Sequence, residues 1–143
     1  MKILYLIILF FSIVLFISSI IFSYFFLIPI DTFELYSSVN ISDSLSIGFD
    51  LNSSALTFGL LNQYSSSLRK ITLTNNYNFP LIAKISSSGS ISKILDYPAK
   101  TYILPENNVS IPITVYSEEN SAGFYDGLVK VRLFRTIDKL FND

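Results

Sequence analysis

The sequence of 143 residues carries 10 basic and 11 acidic side chains, so its net charge is close to zero, and it contains neither cysteine nor histidine. These missing residue types exclude disulfides, thiol catalysis, the common zinc sites and every Ser-His or Cys-His nucleophile arrangement. The longest basic run is Arg69-Lys70, which argues against a nucleic-acid partner. No Gly-rich phosphate loop or EF-hand pattern is present, so no cofactor is predicted.

The first predicted element is one transmembrane helix. Residues Ile3 to Ile30 contain no charged side chain, and about 20 apolar residues cross the hydrocarbon core of a bilayer as a helix. A cleaved secretory signal usually has an apolar region of only about 7–15 residues and a small-residue cleavage site. We therefore predict a retained signal-anchor over residues 1–30, with cleavage after Ser18 or Ser23 as the alternative.

Three residues are predicted to mark the two membrane interfaces. Tyr5 and Tyr24 lie about 28 Å apart along a helix, and tyrosine prefers the interfaces. Lys2 precedes the span, whereas Asp31 and Glu34 are the first charged residues after it. The positive-inside rule therefore places the amino terminus in the cytoplasm and the domain after the helix outside the cell.

Three Asn-x-Ser sequons agree with this orientation and are candidate glycosylation sites, at Asn40, Asn52 and Asn108. Such sequons can be used only on the exported side of the membrane. In a chain this rich in Asn and Ser, two or three matches also arise by chance.

Ser12, Ser19 and Ser23 share one face of the predicted helix. Ser19 and Ser23 form a small-xxx-small pair, which lets transmembrane helices approach closely. We predict a candidate helix–helix contact, and hence oligomers through the membrane span. The alternative is that serine is simply tolerated in a single helix.

Beyond the helix, alternation of apolar and polar residues predicts short strands. Residues 31–44 are polar with scattered apolar positions and are predicted as a stalk or an edge strand, and residues 136–143 as a tail. Pro112 lies inside the clearest alternation, which suggests an edge strand or a bulge. The predicted strands are Leu45–Leu51, Ala55–Leu61, Leu68–Thr74, Leu81–Ile85, Ile91–Leu95, Thr101–Leu104, Val109–Val115 and Val129–Leu133.

This series of strands predicts an all-β fold after the helix. Turn signals recur about every 8–12 residues, a spacing typical of a sandwich. We expect an antiparallel immunoglobulin-like β-sandwich of about seven to nine strands over residues 45–135. The pattern does not fix the order of the strands.

The second half of the chain, from Leu68 to Leu133, resembles immunoglobulin-like modules of bacterial and archaeal surface proteins. It has a strand that closes on Asn, a Pro-led strand, a Leu-Pro turn before a long alternating strand, and Gly-x-Tyr-x-Gly before the last strand. The chain departs from the usual Pro-Gly turn at Pro105-Glu106-Asn107. The matching pieces are Leu73-Thr74-Asn75, Pro80-Leu81, Ile103-Leu104-Pro105, Val109–Val115 and Gly123–Val129.

The resemblance implies an adhesive, structural or assembly role and brings no catalytic residues with it. A membrane-tethered sandwich is also similar to the stator subunits of the archaeal swimming filament, which engage the surface layer. Both resemblances imply a partner among other envelope or membrane proteins.

Two sets of residues could suggest chemistry. Ser-x-x-Lys occurs at Ser67/Lys70 and at Ser90/Lys93, but residues three apart on a strand point to opposite faces, so a catalytic hydrogen bond is not expected. A calcium site would need about six to eight oxygens, and the loop before the last strand offers three carboxylates, Glu118, Glu119 and Asp126. We predict no catalytic residue and no metal site.

Two features are candidates for binding a partner. Tyr77, Phe79 and Tyr97 lie near predicted turns and form a candidate exposed patch. An exposed edge strand, at Leu45–Leu51 or Val109–Val115, could instead recruit a strand of the partner.

We expect a single-pass surface protein that displays a non-catalytic immunoglobulin-like domain for protein–protein assembly. The alternatives are an accessory subunit of a membrane machine, such as a filament or secretion complex, and a membrane-bound hydrolase. The surface protein and the machine subunit differ in whether function needs the helix face that carries Ser12, Ser19 and Ser23, here called the serine face. The third requires carboxylates or Ser-Lys pairs that converge in one pocket.

Overall fold

A computed structural model describes residues 2–42, 55–118 and 121–136. These residues form one α-helix, eight strands and a short 3₁₀ helix. The predicted strand Leu45–Leu51, the sequon at Asn52, Glu119 and residues 137–143 of the predicted tail lie outside the described residues. The elements are α1 (Lys2–Phe26), β1 (Asp31–Ser42), β2 (Leu56–Asn62), β3 (Ser66–Thr74), β4 (Leu81–Gly89), the 3₁₀ helix (Ser90–Lys93), β5 (Leu95–Asp96), β6 (Lys100–Ile103), β7 (Asn108–Tyr116) and β8 (Gly123–Arg135).

The strands form two sheets, one of five strands in the order β2-β1-β8-β4-β6 and one of three in the order β3-β7-β5. The prediction of a mostly β domain behind an apolar helix is confirmed. The larger sheet is mixed, because β1 pairs antiparallel with β8 but parallel with β2. The expectation of a wholly antiparallel arrangement is therefore wrong.

Strand β1 differs from the predicted stalk or edge strand, because it has a neighbour on each side. Its inward positions are Phe33, Leu35, Ser37, Val39 and Ile41, of which the last three are buried. Ser37 interrupts the apolar series, and its hydroxyl donates a hydrogen bond to the Leu56 carbonyl. Because Ser37 is polar, the sequence of β1 does not show the regular alternation that indicates a half-buried strand.

Strand β7 lies in the middle of the smaller sheet, but β5 reaches only Thr114 and Val115. Pro112 pairs with Lys70 on β3, and the register of this pair contains no shift. No bulge is therefore present. At Pro112 the described strands supply a neighbour on one side only, where proline is tolerated because it has no N–H to donate.

One hydrophobic core joins the two sheets. Leu81 and Val131 of the larger sheet and Ile113 and Val115 of the smaller one are completely buried in the same cluster. Burying one such side chain stabilises the fold by about 1.5–3 kcal/mol. The domain therefore has a core of its own, independent of the helix.

The helix joins the domain at one end of the larger sheet. The Ile30 amide donates a 2.7 Å hydrogen bond to the Leu133 carbonyl, and Leu81 at the start of β4 pairs with Arg135 at the end of β8 and with Ile103 at the end of β6. We call this the helix-proximal end. It also carries the turns at residues 75–80 and 104–107.

Candidate functional site

After Lys2, helix α1 carries no charged side chain, and it contacts the domain near its carboxyl end, at Phe25. Residues Lys2–Phe25 have a mean hydropathy of 2.8 with none of the span buried, so the helix is long and apolar enough to cross a membrane. The side chains of Lys2, Tyr5 and Tyr24, predicted at the interfaces, are exposed. Ser12 and Ser19 are exposed as well, whereas Ser23 is half-buried.

The predicted aromatic patch is divided by the fold. Tyr77 and Phe79 stack with their ring centroids 5.0 Å apart at the helix-proximal end. Tyr97 lies away from them beside β4, where its hydroxyl is 2.8 Å from the hydroxyl of Ser87. Only the first two residues of the predicted patch are therefore brought together.

Arg135 connects this aromatic pair to the helix. Its guanidinium carbon lies 4.4 Å from the centroid of the Phe79 ring and 5.0 Å from that of Phe25. A guanidinium within about 6 Å of an aromatic centroid is attracted by the negative face of the ring. Arg135 is not among the predicted site residues, since no sequence signal shows that the end of the last strand meets the end of the helix.

Asn75 holds the two turns of the helix-proximal end together. Its side-chain amide donates to the carbonyls of Phe79, Ile103 and Leu104 at 2.9–3.2 Å. The side-chain oxygen of Asn75, Oδ1, accepts a hydrogen bond from the Tyr77 amide at 3.0 Å. This bond forms the local turn that Asn favours. The residue is completely buried, so these bonds fix the position of Tyr77 and Phe79.

A cavity of about 350 Å³ lies where the helix meets the domain. Five of its six described lining residues are uncharged, and Arg135 is the only charged one among them. The lining residues are Tyr24, Phe25, Ile28, Pro29, Ile30 and Arg135.

Three cations lie side by side on the outer face of the larger sheet. Arg132, Lys84 and Lys100 occupy directly paired positions on β8, β4 and β6, where opposite Cβ atoms are about 5 Å apart. We call them the basic row. Within the part of the chain that the structure describes, no carboxylate forms an ion pair with any of them, since the one ion pair joins Lys130 to Glu34 at 2.9 Å. Like charges placed opposite one another destabilise a sheet.

The residues considered for catalysis or calcium binding do not converge. Ser67 and Lys70 lie on β3 at positions of opposite parity, and the Ser90 hydroxyl is bound to the backbone of Asp126. Glu118 lines a small cavity beside Lys93, whereas Asp126 lies near Ser90 and Tyr36. Among the described residues, no group of three or more acidic or histidine side chains could hold a metal ion.

The two described sequon asparagines, Asn40 in β1 and Asn108 at the start of β7, have exposed side chains. Both therefore have the exposure that a glycan requires. Whether they carry one stays a prediction.

Comparison of the chain with protein-family models gives no match, and comparisons with curated proteins and with solved structures give no significant match either. The features that bear on function are therefore the helix, the helix-proximal end and the surfaces described above.

Proposed function

We propose that this chain is a single-pass membrane protein that displays a non-catalytic immunoglobulin-like domain for protein–protein assembly at the cell envelope. One observation carries the proposal: a 25-residue apolar helix is joined by four residues to a two-sheet domain that has its own core. The helix would hold the protein in the membrane, and the domain would present the surface that binds other proteins.

The exposed apolar surface of α1 supports a bilayer as its environment. Large hydrophobic side chains such as Phe10, Leu15, Ile20 and Phe22 are half or more exposed. A soluble monomer rarely exposes a continuous apolar patch larger than a few hundred Å². Lipid would cover this surface, and the helix would satisfy its own backbone hydrogen bonds.

Charge supports the orientation in which the amino terminus is cytoplasmic and the domain lies outside the cell. Lys2 is a cation at the amino end of the helix, and Asp31 is the first charged residue after it. Cytoplasmic flanks carry the excess of Lys and Arg. Proteolysis of intact cells should therefore remove the domain, while survival of the domain would reverse the orientation.

A membrane anchor predicts a specific effect of charge at the centre of α1. Replacing both Val14 and Ile17 with arginine should release the chain from the membrane, because each central arginine costs about 3 kcal/mol on insertion scales. Extraction of membranes with alkaline carbonate measures this release. The paired control, Val14→Leu with Ile17→Leu, should stay in the membrane pellet. Extraction of the wild-type chain, or a mature chain that begins after residue 18 or 23, would contradict the anchor.

The assembly role is supported by the resemblance to immunoglobulin-like surface modules, and the proposal that the domain is non-catalytic is supported by the polar side chains that bind its own backbone. Asn75, Ser37 and Ser90 all bind backbone groups, so they act on the fold itself. Crosslinking in intact cells, followed by identification of the captured proteins, tests the role. Capture of envelope proteins supports it, and capture of cytoplasmic proteins alone would overturn both the role and the orientation.

A second proposal, a subunit of a membrane machine such as a filament stator or a secretion complex, is favoured by the serines of α1. Ser19 and Ser23 are one helical turn apart, a spacing that allows a second helix to approach closely. Under this proposal the helix binds a partner in the membrane as well as holding the domain.

The serine face separates the two proposals. Replacing Ser19 and Ser23 with leucine should leave a simple tether unchanged, whereas in a machine subunit it should remove most crosslinks to membrane partners. Ser18→Leu is the matched control, because Ser18 lies about 100° away around the helix. Loss of crosslinks in the control as well would show that bulk, and not the serine face, is responsible.

A further inference from the structure

Arg135 is a cation without a counter-charge in the part of the chain that the structure describes. Its side chain forms no ion pair with a described carboxylate, and its Nε atom is buried with no hydrogen-bond partner among the described residues. A buried donor that loses water and gains no acceptor is destabilising, and more so when the group is charged. The two aromatic rings stabilise the charge but accept no ordinary hydrogen bond from it.

The cavity that Arg135 lines gives access to this cation. The other lining residues come from the last turn of the helix and the segment after it, residues 24–30. Tyr24 is 67 % exposed and Ile28 is 52 % exposed, so the cavity opens on the outer surface of the helix–domain junction. It combines Arg135 and Tyr24 with the apolar residues Phe25, Ile28, Pro29 and Ile30.

The position of the cavity relative to the bilayer follows from the proposed membrane anchor, and this inference rests on that proposal. If α1 spans the bilayer, Tyr24 lies at the level where tyrosines meet the headgroups. The contact between Arg135 and Phe25 places the guanidinium at the same level. The basic row lies farther along the sheet, with Arg132 three residues before Arg135 in β8, and adds positive potential near the surface.

We propose that this cavity binds the phosphate of an anionic phospholipid from the bilayer that holds α1. The guanidinium of Arg135 would donate to the phosphate oxygens, a geometry that its planar fork of N–H groups fits. Tyr24 offers a further hydroxyl donor, and Ile28 and Pro29 contact the glycerol and the first carbons of the acyl chains. The bound lipid supplies the negative charge that the described residues do not.

Native mass spectrometry of the purified full chain tests the proposal. The chain, in neutral detergent, is mixed with equal amounts of phosphatidylglycerol and phosphatidylcholine, and the bound lipid is counted. The wild type should retain one phosphatidylglycerol in preference to phosphatidylcholine. Arg135→Gln should reduce that preference about fivefold, since one Arg or Lys near an anionic surface contributes about 1 kcal/mol. Lys70→Gln on β3, the matched control for charge, should keep it.

The outcomes separate the lipid site from the anchor. Carbonate extraction of the same variants reports insertion: a chain that stays in the membrane but shows equal preference in wild type and Arg135→Gln overturns the lipid site alone. A wild type that is extracted overturns both. Displacement of the lipid by millimolar inorganic phosphate would show a site for free phosphate instead. Preference for phosphatidylglycerol that appears only after deletion of residues 137–143 would overturn the lipid site and assign the cavity to that segment.

Discussion

Replacing Asn75 with alanine should lower the free energy of unfolding of the domain by about 3–5 kcal/mol. The side chain binds three carbonyls and one amide from two turns, and its bond to the Ile103 carbonyl is buried while the other three are part-buried. Its removal takes a hydrogen-bond partner from each of these groups. Each unsatisfied buried group costs about 1–3 kcal/mol. Urea unfolding of the full chain in detergent, monitored by far-UV circular dichroism of the β domain, measures the loss.

Two variants make the Asn75 result specific. Asn75→Asp keeps the oxygen that accepts from Tyr77 but removes the donors to the carbonyls of Phe79, Ile103 and Leu104, so it should be nearly as destabilising as alanine. Asn78→Ala changes an exposed asparagine of the same turn and should alter stability by less than about 0.5 kcal/mol. Equal effects at positions 75 and 78 would show that the amide network contributes nothing.

Replacing Gly127 with alanine should destabilise the domain by at least about 3 kcal/mol, or prevent its folding, because overpacking against rigid groups is costly. A Cβ at this position would lie 1.9 Å from the Ser88 carbonyl oxygen and 3.1 Å from the Gly89 Cα. Both are backbone atoms of the neighbouring strand β4, so no side chain can move aside. The same urea unfolding experiment measures the effect.

Leu128→Ala is the control for Gly127. Leu128 is the next residue of β8 and is 39 % exposed. Its replacement by alanine removes atoms and therefore adds no clash with the backbone of β4. We expect a change of about 1 kcal/mol or less. An alanine at position 127 with wild-type stability would mean that strands β4 and β8 are farther apart than the structure places them.

The roles of Gly123 and Gly127 could be predicted only in part from the local sequence. The Gly-x-Tyr-x-Gly pattern predicts that Gly123 and Gly127 precede the last strand, and both instead lie within β8. Gly123 has a φ of +146°, which glycine adopts readily. Gly127 is needed for a different reason, the close approach of β4, and the pairing of Gly89 with Gly127 cannot be read from either local sequence.

Among the site residues, contacts between near neighbours in the chain could be predicted from the sequence, and contacts between distant residues could not. The sequence around Asn75 predicts a turn, because the neighbouring residues Asn76 to Asn78 favour turns. The bonds of Asn75 to Ile103 and Leu104 reach a turn nearly 30 residues away in the chain. Tyr77 and Phe79 are near neighbours in sequence and stack, whereas the position of Tyr97 depends on the path of the chain, and it lies elsewhere.

The sequence by itself determined the apolar helix and the β character of the domain after it, because both depend on the periodicity of nearby residues. Hydrophobic length located α1 to within a few residues, and alternation located the clearest strands, such as β7. The tertiary structure alone decided the mixed pairing of β1, the basic row of Arg132, Lys84 and Lys100, and the place of Arg135 between Phe25 and Phe79. These features join residues distant in the chain, and only the register of the strands and the docking of the helix bring them together.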